Sequence, residues 1–181
     1  MCFVVLFISI LSFAFTSQNL SNNESKYILK QIKKEISSVF LLDMFEIEKK
    51  SIEIPSSLFF RESTFYKIVS SNKNIGYAIV AKAPSKTDIF DYLILTDEDF
   101  QIKKARILIY REDYGGEIAS KRWLSQFIKH SKDESYVYGD NISAISGATI
   151  SVHSLTSSIN YLFDFLRNIK SKEKIWWEII I

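Results

Sequence analysis

The clearest pattern in the chain is an apolar stripe near the C-terminus, in which hydrophobic residues recur at steps of three and four. This spacing predicts an amphipathic α-helix with a polar opposite side. Such stripes usually pack against the core of their own domain, and we expect this helix to cover a sheet. The apolar positions are Val152, Leu155, Ile159, Leu162, Leu166 and Ile169, and the polar positions are His153, Ser154, Ser157, Asn160, Asp164 and Arg167.

A second helix and a set of strands are predicted upstream. Residues 24–40 place apolar residues at helical spacing between lysines, which predicts an amphipathic helix near the N-terminus. Four β-type runs follow as two hairpins, and a further helix is predicted near Ala119–Ile128. The predicted fold is therefore α+β, an antiparallel sheet of hairpins packed by an N-terminal and a C-terminal amphipathic helix. The strand runs are Phe65–Val69, Ile75–Ala81, Tyr92–Leu95 and Ile102–Tyr110, and their turns are Ser71–Asn74 and Asp97–Asp99.

The first 23 residues carry no charged side chain, and Cys2–Thr16 is an unbroken run of apolar and small residues. A membrane-spanning helix needs about 20 apolar residues, so this shorter run is more typical of a secretory signal. No Lys or Arg precedes it, which leaves an uncleaved anchor or a buried N-terminal helix as alternatives. We expect an extracytoplasmic protein, in the periplasm or on the outer face of the cytoplasmic membrane, with membrane association through residues 2–16.

Charge and composition exclude several classes of function. The 23 basic and 21 acidic residues nearly balance, so nothing indicates a nucleic-acid partner. Cys2, the only cysteine, lies in the predicted signal, so no disulfide or cysteine ligand is expected in the mature chain. The two histidines, His130 and His153, have no third ligand at metal spacing, and no metal site is predicted. No set of residues predicts turnover of a small substrate.

A short turn of small residues, Ala144–Ser151, stands immediately before the C-terminal helix. A helix N-terminus offers unpaired backbone N–H groups and a partial positive charge, which suits a phosphate group. Gly147 and Ala148 would let a ligand approach the backbone, and the hydroxyls of Ser146, Thr149 and Ser151 can donate to phosphate oxygens. The alternative is an ordinary helix cap with no ligand.

The sequence Ser146-Gly147-Ala148-Thr149, followed by an amphipathic helix, resembles the motif of the FMN-binding domain family. This family includes the flavin-carrying subunits of the sodium-pumping NADH:quinone oxidoreductase and of the Rnf electron-transport complex. The resemblance implies FMN as the cofactor. It also implies a flavin transferase that joins the FMN phosphate to Thr149.

A second segment is similar to the same family. Arg111–Ile118 followed by Trp123–Phe127 resembles the family's strand-end loop and the helix that closes with Gln-Phe. Glu112 and Gly115 keep the ends of the family's Glu-Thr-Pro-Gly loop. The resemblance covers roughly residues 60–168 and implies an FMN-binding domain over 61–170. With the elements predicted from the residues themselves, the organisation is 1–16 signal or anchor, 17–60 helix and connection, 61–170 FMN-binding domain, 171–181 tail.

The chain departs from the transferase motif at Ser143, where the family has an acidic residue, and the nearest carboxylate is that of Asp140. The resemblance implies an exported flavoprotein that relays electrons at the cell envelope from a membrane electron-transfer protein. A flavin-free binding or interaction module on the same scaffold is the alternative. Two alternatives stay open for Glu112, which either bonds the flavin ring or closes its loop. Three aromatic side chains either stack on the ring or pack in the core or at the surface. These aromatics are Tyr110, Tyr114 and Trp123.

Overall fold

The computed structural model describes residues 23–51, 63–129 and 135–171. Helix α1 spans residues 23–40 and precedes a five-stranded sheet. After the sheet come a 3₁₀ turn, two short helices and the long helix α4, Thr149–Ser171. The strands are β1 (Glu46–Lys50), β2 (Thr64–Ser70), β3 (Lys73–Pro84), β4 (Ile89–Asp97) and β5 (Ile102–Ile109), and the short helical elements are the 3₁₀ turn Gly116–Ala119, α2 (Lys121–Leu124) and α3 (Gln126–Lys129).

The sheet is antiparallel throughout, with its strands in chain order from β1 to β5. This arrangement confirms the predicted α+β class and the two predicted hairpins. The turn between β2 and β3 is tighter than the predicted four-residue loop, because Ser71 and Asn72 both have positive φ and Lys73 already pairs with Ser70. Strand β1 was not predicted, since its sequence Glu-Ile-Glu-Lys-Lys has a single apolar residue.

Helices cover both faces of the sheet, as the alternating side chains of the central strands require. On one face, Ile79 and Ile94 join α2, α3 and α4 in the larger core. On the other face, Val80 and Leu93 pack against Ile32 and other residues of α1. A fully buried isoleucine such as Ile32 contributes about 2 kcal/mol of transfer free energy. The sheet is therefore the middle layer of three.

Helix α4 buries its predicted stripe, and the five described stripe positions from Val152 to Leu166 are all in the larger core. The prediction was wrong for Ser154, which was placed on the polar side. Its side chain is buried and donates a hydrogen bond to the Pro84 carbonyl oxygen at 2.5 Å. A hydroxyl can occupy the buried side of a helix when a neighbouring backbone acceptor satisfies it. The helix predicted near Ala119–Ile128 is divided among the 3₁₀ turn, α2 and α3.

Helix α1 is held to the sheet by charges as well as by apolar packing. The Glu35 carboxylate forms an ion pair with Arg106 and lies 3.8 Å from the Lys104 ammonium. The Glu35 side chain is only 11% exposed, so this pair is screened less than a surface pair. Near the start of α1, Glu24 forms an ion pair with Arg111, which follows β5.

The predicted signal or anchor, residues 1–16, and the tail, residues 171–181, lie outside the described side chains. Among the helices of the described residues, none combines the length and the apolar character needed to cross a membrane.

Candidate functional site

The two segments that carry the family resemblance meet in the structure. Gly115 has a φ of +76°, and a Cβ added to it would lie 2.4 Å from the Cβ of Ala148. Such a separation is far below van der Waals contact, so only glycine permits this approach without a shift of one loop. The strand-end loop therefore packs directly on the turn that begins α4.

The start of α4 presents unpaired backbone donors. Gly147 has a φ of +79° and turns the chain toward the helix. The Val152 N–H donates to the Ala148 carbonyl at 2.9 Å, which makes Ala148 the residue that precedes the helix proper. Within the described part of the chain, the N–H groups of Thr149, Ile150 and Ser151 have no acceptor. These donors lie at the positive end of a 23-residue helix, an arrangement that favours an anion.

A cavity of about 330 Å³ opens beside this helix end. Five of the seven predicted site residues line it, namely Glu112, Gly147, Ala148, Thr149 and Ser151. Gly115 is not among the lining residues, but it packs closely against Ala148, which is. Ser146 instead lines a neighbouring cavity of about 800 Å³ on the other side of the turn. The remaining lining residues of the smaller cavity are Lys86, Tyr110, Tyr114 and Ile150.

The three candidate aromatic side chains have different surroundings. Tyr110 lines the smaller cavity, and its hydroxyl lies 3.1 Å from that of Ser151, which is buried. Tyr114 also lines this cavity and is 79% exposed, so its ring is free to contact a ligand. Trp123 is buried in the larger core, at an edge-to-face angle to Phe127. Its position fits the packing alternative, whereas Tyr110 and Tyr114 border the cavity.

Trp123 and Gln126 have a role that the sequence did not reveal. The Trp123 indole N–H donates to the Ser143 carbonyl oxygen at 2.8 Å. The Gln126 amide oxygen accepts from the Ser143 N–H, also at 2.8 Å. One residue of α2 and one of α3 thus hold both backbone groups of Ser143, three residues before Ser146. The Gln-Phe sequence marked this segment as part of the family pattern. The partner of Gln126, however, is set by the tertiary structure and cannot be read from the sequence.

Glu112 closes its loop through hydrogen bonds to the turn between β3 and β4. Its carboxylate accepts from the Thr87 N–H at 2.7 Å, from the Thr87 hydroxyl at 2.9 Å and from the Asp88 N–H at 3.3 Å. The Ser85 hydroxyl and the two Thr87 donors lower the pKa of Glu112 to about 2. Both oxygens therefore already have protein donors, which favours the loop-closing role over a bond to the flavin ring.

The lowered pKa of Glu112 predicts an acid-dependent loss of stability. A carboxylate with a pKa of about 2 in the folded state and about 4.3 in the unfolded state stabilises the protein above the higher value. That contribution is lost as the pH falls through this window. We expect Glu112→Gln to lower Tm at pH 7 and the difference from the parent to shrink as the pH approaches 2. Thermal unfolding between pH 7 and pH 2 checks this, and a difference that stays constant with pH would contradict it.

One wall of the cavity could not be predicted from the sequence. Lys86 lies in the turn between β3 and β4 and lines the same cavity as the start of α4. Polar turn residues such as Ser85, Lys86 and Thr87 resemble those of any hairpin, so no local signal marks them. Hydrogen bonds from Thr87 to Glu112 and from Ser154 of α4 to the Pro84 carbonyl hold this turn beside the cavity.

The arrangement suits a phosphate-bearing aromatic ligand. It combines free N–H donors at a helix start, a lysine and two tyrosines around one cavity. The volume of about 330 Å³ lies at the lower end of the range of about 300–1,000 Å³ for small-molecule sites. The two glycines with positive φ let the two loops form this cavity.

Comparison with known proteins points to the same ligand. Residues 87–164 match the model of the FMN-binding domain family, and this range includes Glu112 and the whole turn before α4. No curated protein matches the chain. The family match and the geometry of the helix start agree with the predicted cofactor. Residues 87–164 thus match the FMN-binding domain family, and this match indicates FMN as the cofactor.

Proposed function

We propose that the protein is an exported flavoprotein that carries FMN as a phosphoester on Thr149 and relays electrons at the cell envelope. The observation that carries this proposal is the position of Thr149. It is the first residue of α4, is exposed, and lines the cavity beside the free N–H groups of the helix start. A phosphate at those donors would have the Thr149 hydroxyl as a near neighbour.

Attachment at Thr149 is a phosphoryl-group transfer. The Thr149 oxygen forms the new bond to phosphorus, its proton is released, and the group that activated the phosphate leaves. The activated donor is a flavin nucleotide, and a flavin transferase supplies the catalysis. No described side chain donates to or accepts from the Thr149 hydroxyl, so the hydroxyl is available to such an enzyme.

The residues around the helix start also bear on recognition by the transferase. Ser143 occupies the position of the family's acidic residue, and the carboxylate of Asp140 is exposed in the preceding turn. Trp123 and Gln126 hold the Ser143 backbone, so two hydrogen bonds fix the chain just before the Ser146–Thr149 turn. In this proposal the transferase relies on this turn and its small residues, without a carboxylate at position 143.

The proposed electron relay places modest demands on the protein. When bound, FMN supplies one- and two-electron transfer itself. The chain fixes the cofactor through the helix start and borders it with Tyr110 and Tyr114, of which Tyr114 is exposed. A cofactor attached at the protein surface is accessible to a membrane electron-transfer partner. A covalent bond also prevents loss of FMN from an exported domain.

The phosphoester predicts a change of mass that depends on one hydroxyl. The full chain, co-expressed with a flavin transferase and isolated from the cell envelope, is expected to gain the mass of FMN less one water. Thr149→Ala should abolish the increment, and Thr149→Ser should keep at least part of it because a hydroxyl remains. Ser146→Ala is the matched control, since Ser146 lines the other cavity, and it should keep the increment. Intact-mass spectrometry measures all four proteins.

Two results would contradict the proposal. An unmodified parent protein would leave FMN bound without a covalent bond, and an increment that survives Thr149→Ala would place the bond on another residue. Recovery of the chain solely from the cytoplasm would contradict the export component independently.

A further inference from the structure

The wall of the FMN cavity formed by the turn between β3 and β4 has no assigned role in cofactor binding. Lys86 is exposed in this turn and lines the cavity. Among the described residues that line the cavity, it is the one basic side chain. No carboxylate of the described residues forms an ion pair with its ammonium group. A cation with no ion-pair partner among the described residues thus borders the site of a phosphate-bearing cofactor.

The electrostatic balance of the site calls for such a cation. A phosphate monoester carries about −1.5 to −2 charges at pH 7, whereas a helix N-terminus supplies the equivalent of about +0.5. Tyr110 and Tyr114 are uncharged donors. Without a basic side chain, most of the phosphate charge would lack a countercharge within the cavity.

The turn that carries Lys86 is held in place by Glu112. The Ser85 N–H and hydroxyl each donate to the Asp88 carbonyl at 2.7 Å, which closes the turn on itself. The Glu112 carboxylate then binds the Thr87 N–H and hydroxyl at 2.7 and 2.9 Å. Because Thr87 follows Lys86 directly, these bonds fix the backbone from which the lysine side chain extends.

We propose that Lys86 is the cationic binding residue for the FMN phosphate and that Glu112 is a positioning residue that holds the Lys86 turn at the cavity. Glu112 acts through this turn and does not bind the flavin. The proposal rests on FMN binding before any phosphoester forms, when the phosphate is still a monoester, so it holds even if Thr149 is never modified.

Riboflavin provides the discriminating probe, because it has the ring and side chain of FMN without the phosphate. The full chain is produced in a host without a flavin transferase and titrated with FMN and with riboflavin by fluorescence. The parent is expected to bind FMN more tightly than riboflavin. Lys86→Gln should weaken FMN binding about tenfold, as expected for one charge-assisted contact, and leave riboflavin binding unchanged. Lys86→Arg should retain most of the preference for FMN.

Lys73→Gln is the matched control for net charge. Lys73 is exposed and begins β3, at the end of the strand remote from Lys86. Twelve residues of strand at about 3.3 Å each separate the two lysines by roughly 36–40 Å, well beyond the screening length of about 8 Å at physiological salt. We expect this variant to bind both ligands like the parent.

Glu112→Gln tests the positioning role. We expect FMN binding to weaken about as much as in Lys86→Gln, again without an effect on riboflavin. In the double variant Lys86→Gln/Glu112→Gln, the loss should be no greater than in Lys86→Gln alone, because Glu112 acts through the lysine. Added salt should weaken FMN binding by the parent more than by either single variant.

Several outcomes would overturn the proposal. If the parent bound FMN no more tightly than riboflavin, the phosphate would contribute nothing to binding and no cationic residue would be required. Equal losses of both ligands in Lys86→Gln would assign the lysine a steric role. Additive losses in the double variant, or a loss of riboflavin binding in Glu112→Gln, would make Glu112 a general support of the cavity. Thermal unfolding of each variant identifies any loss that comes from unfolding.

Discussion

Replacing Gly115 with alanine is expected to weaken FMN binding by about 30- to 150-fold. The new Cβ would lie 2.4 Å from the Ala148 Cβ, and the backbone φ of +76° is itself unfavourable for alanine. Relief of this contact requires the strand-end loop to move away from the start of α4. A cost of about 2–3 kcal/mol for strained backbone and displaced loops corresponds to this loss of affinity.

Gly116→Ala is the matched control for that experiment. It adds the same methyl group one residue later, where no other atom lies within 4 Å of the added Cβ. FMN titration of both variants, with thermal unfolding as a check on folding, separates the close contact from a general effect of alanine in the loop. Parent-like FMN binding by Gly115→Ala would show that the contact between the two loops is not needed for the site.

Replacing Arg111 with methionine is expected to destabilise the fold by about 3 kcal/mol. The guanidinium donates to the Asp91 carboxylate at 2.8 Å and also to the Ile89 carbonyl and to Glu24. The Asp91 side chain is only 3% exposed, so its charge would remain buried without a partner. Loss of one member of a buried pair typically costs 3–5 kcal/mol, or about 10 °C in Tm for a chain of this size.

Arg167→Met serves as the control, because Arg167 pairs with Asp164 on the exposed side of α4. Surface pairs of this kind contribute about 0.5 kcal/mol or less. In the double variant Arg111→Met/Asp91→Asn, part of the lost stability should return, since the unpaired buried charge is removed. Denaturant unfolding checks all three variants. An Arg111→Met protein as stable as Arg167→Met would contradict the assigned role.

The elements that could be predicted from sequence are those with a strong local period. The α4 stripe and the two hairpins have such periods, and the structure confirms them. Strand β1 has one apolar residue and forms only because β2 supplies a hydrogen-bonding edge. Ser154 was misplaced because its buried acceptor, the Pro84 carbonyl, belongs to another element. Tertiary contacts therefore determine the formation of β1 and the burial of Ser154, which the period of the sequence does not predict.

The residues of the candidate site likewise include some that the sequence predicts and others that only tertiary structure brings together. The Ser146–Thr149 turn was found from its small residues and from the family resemblance, and the structure places its last three residues on the cavity. The loop-closing role of Glu112 could not be predicted, because its partners Thr87 and Asp88 lie 25 and 24 residues away in sequence. Lys86 had no sequence signal at all, since a lysine in a polar hairpin turn is common. Its significance comes only from its position beside the cavity.

In the proposed function, FMN is joined to the chain at the hydroxyl of Thr149. The most direct test is fragment-ion mass spectrometry of the tryptic peptide spanning residues 133–167, taken from protein co-expressed with a flavin transferase. This peptide contains Ser146, Thr149 and Ser151, so its fragments distinguish the three hydroxyls. We expect the flavin phosphate on Thr149 alone. A flavin on another residue, or an unmodified peptide with all flavin released on denaturation, would contradict it.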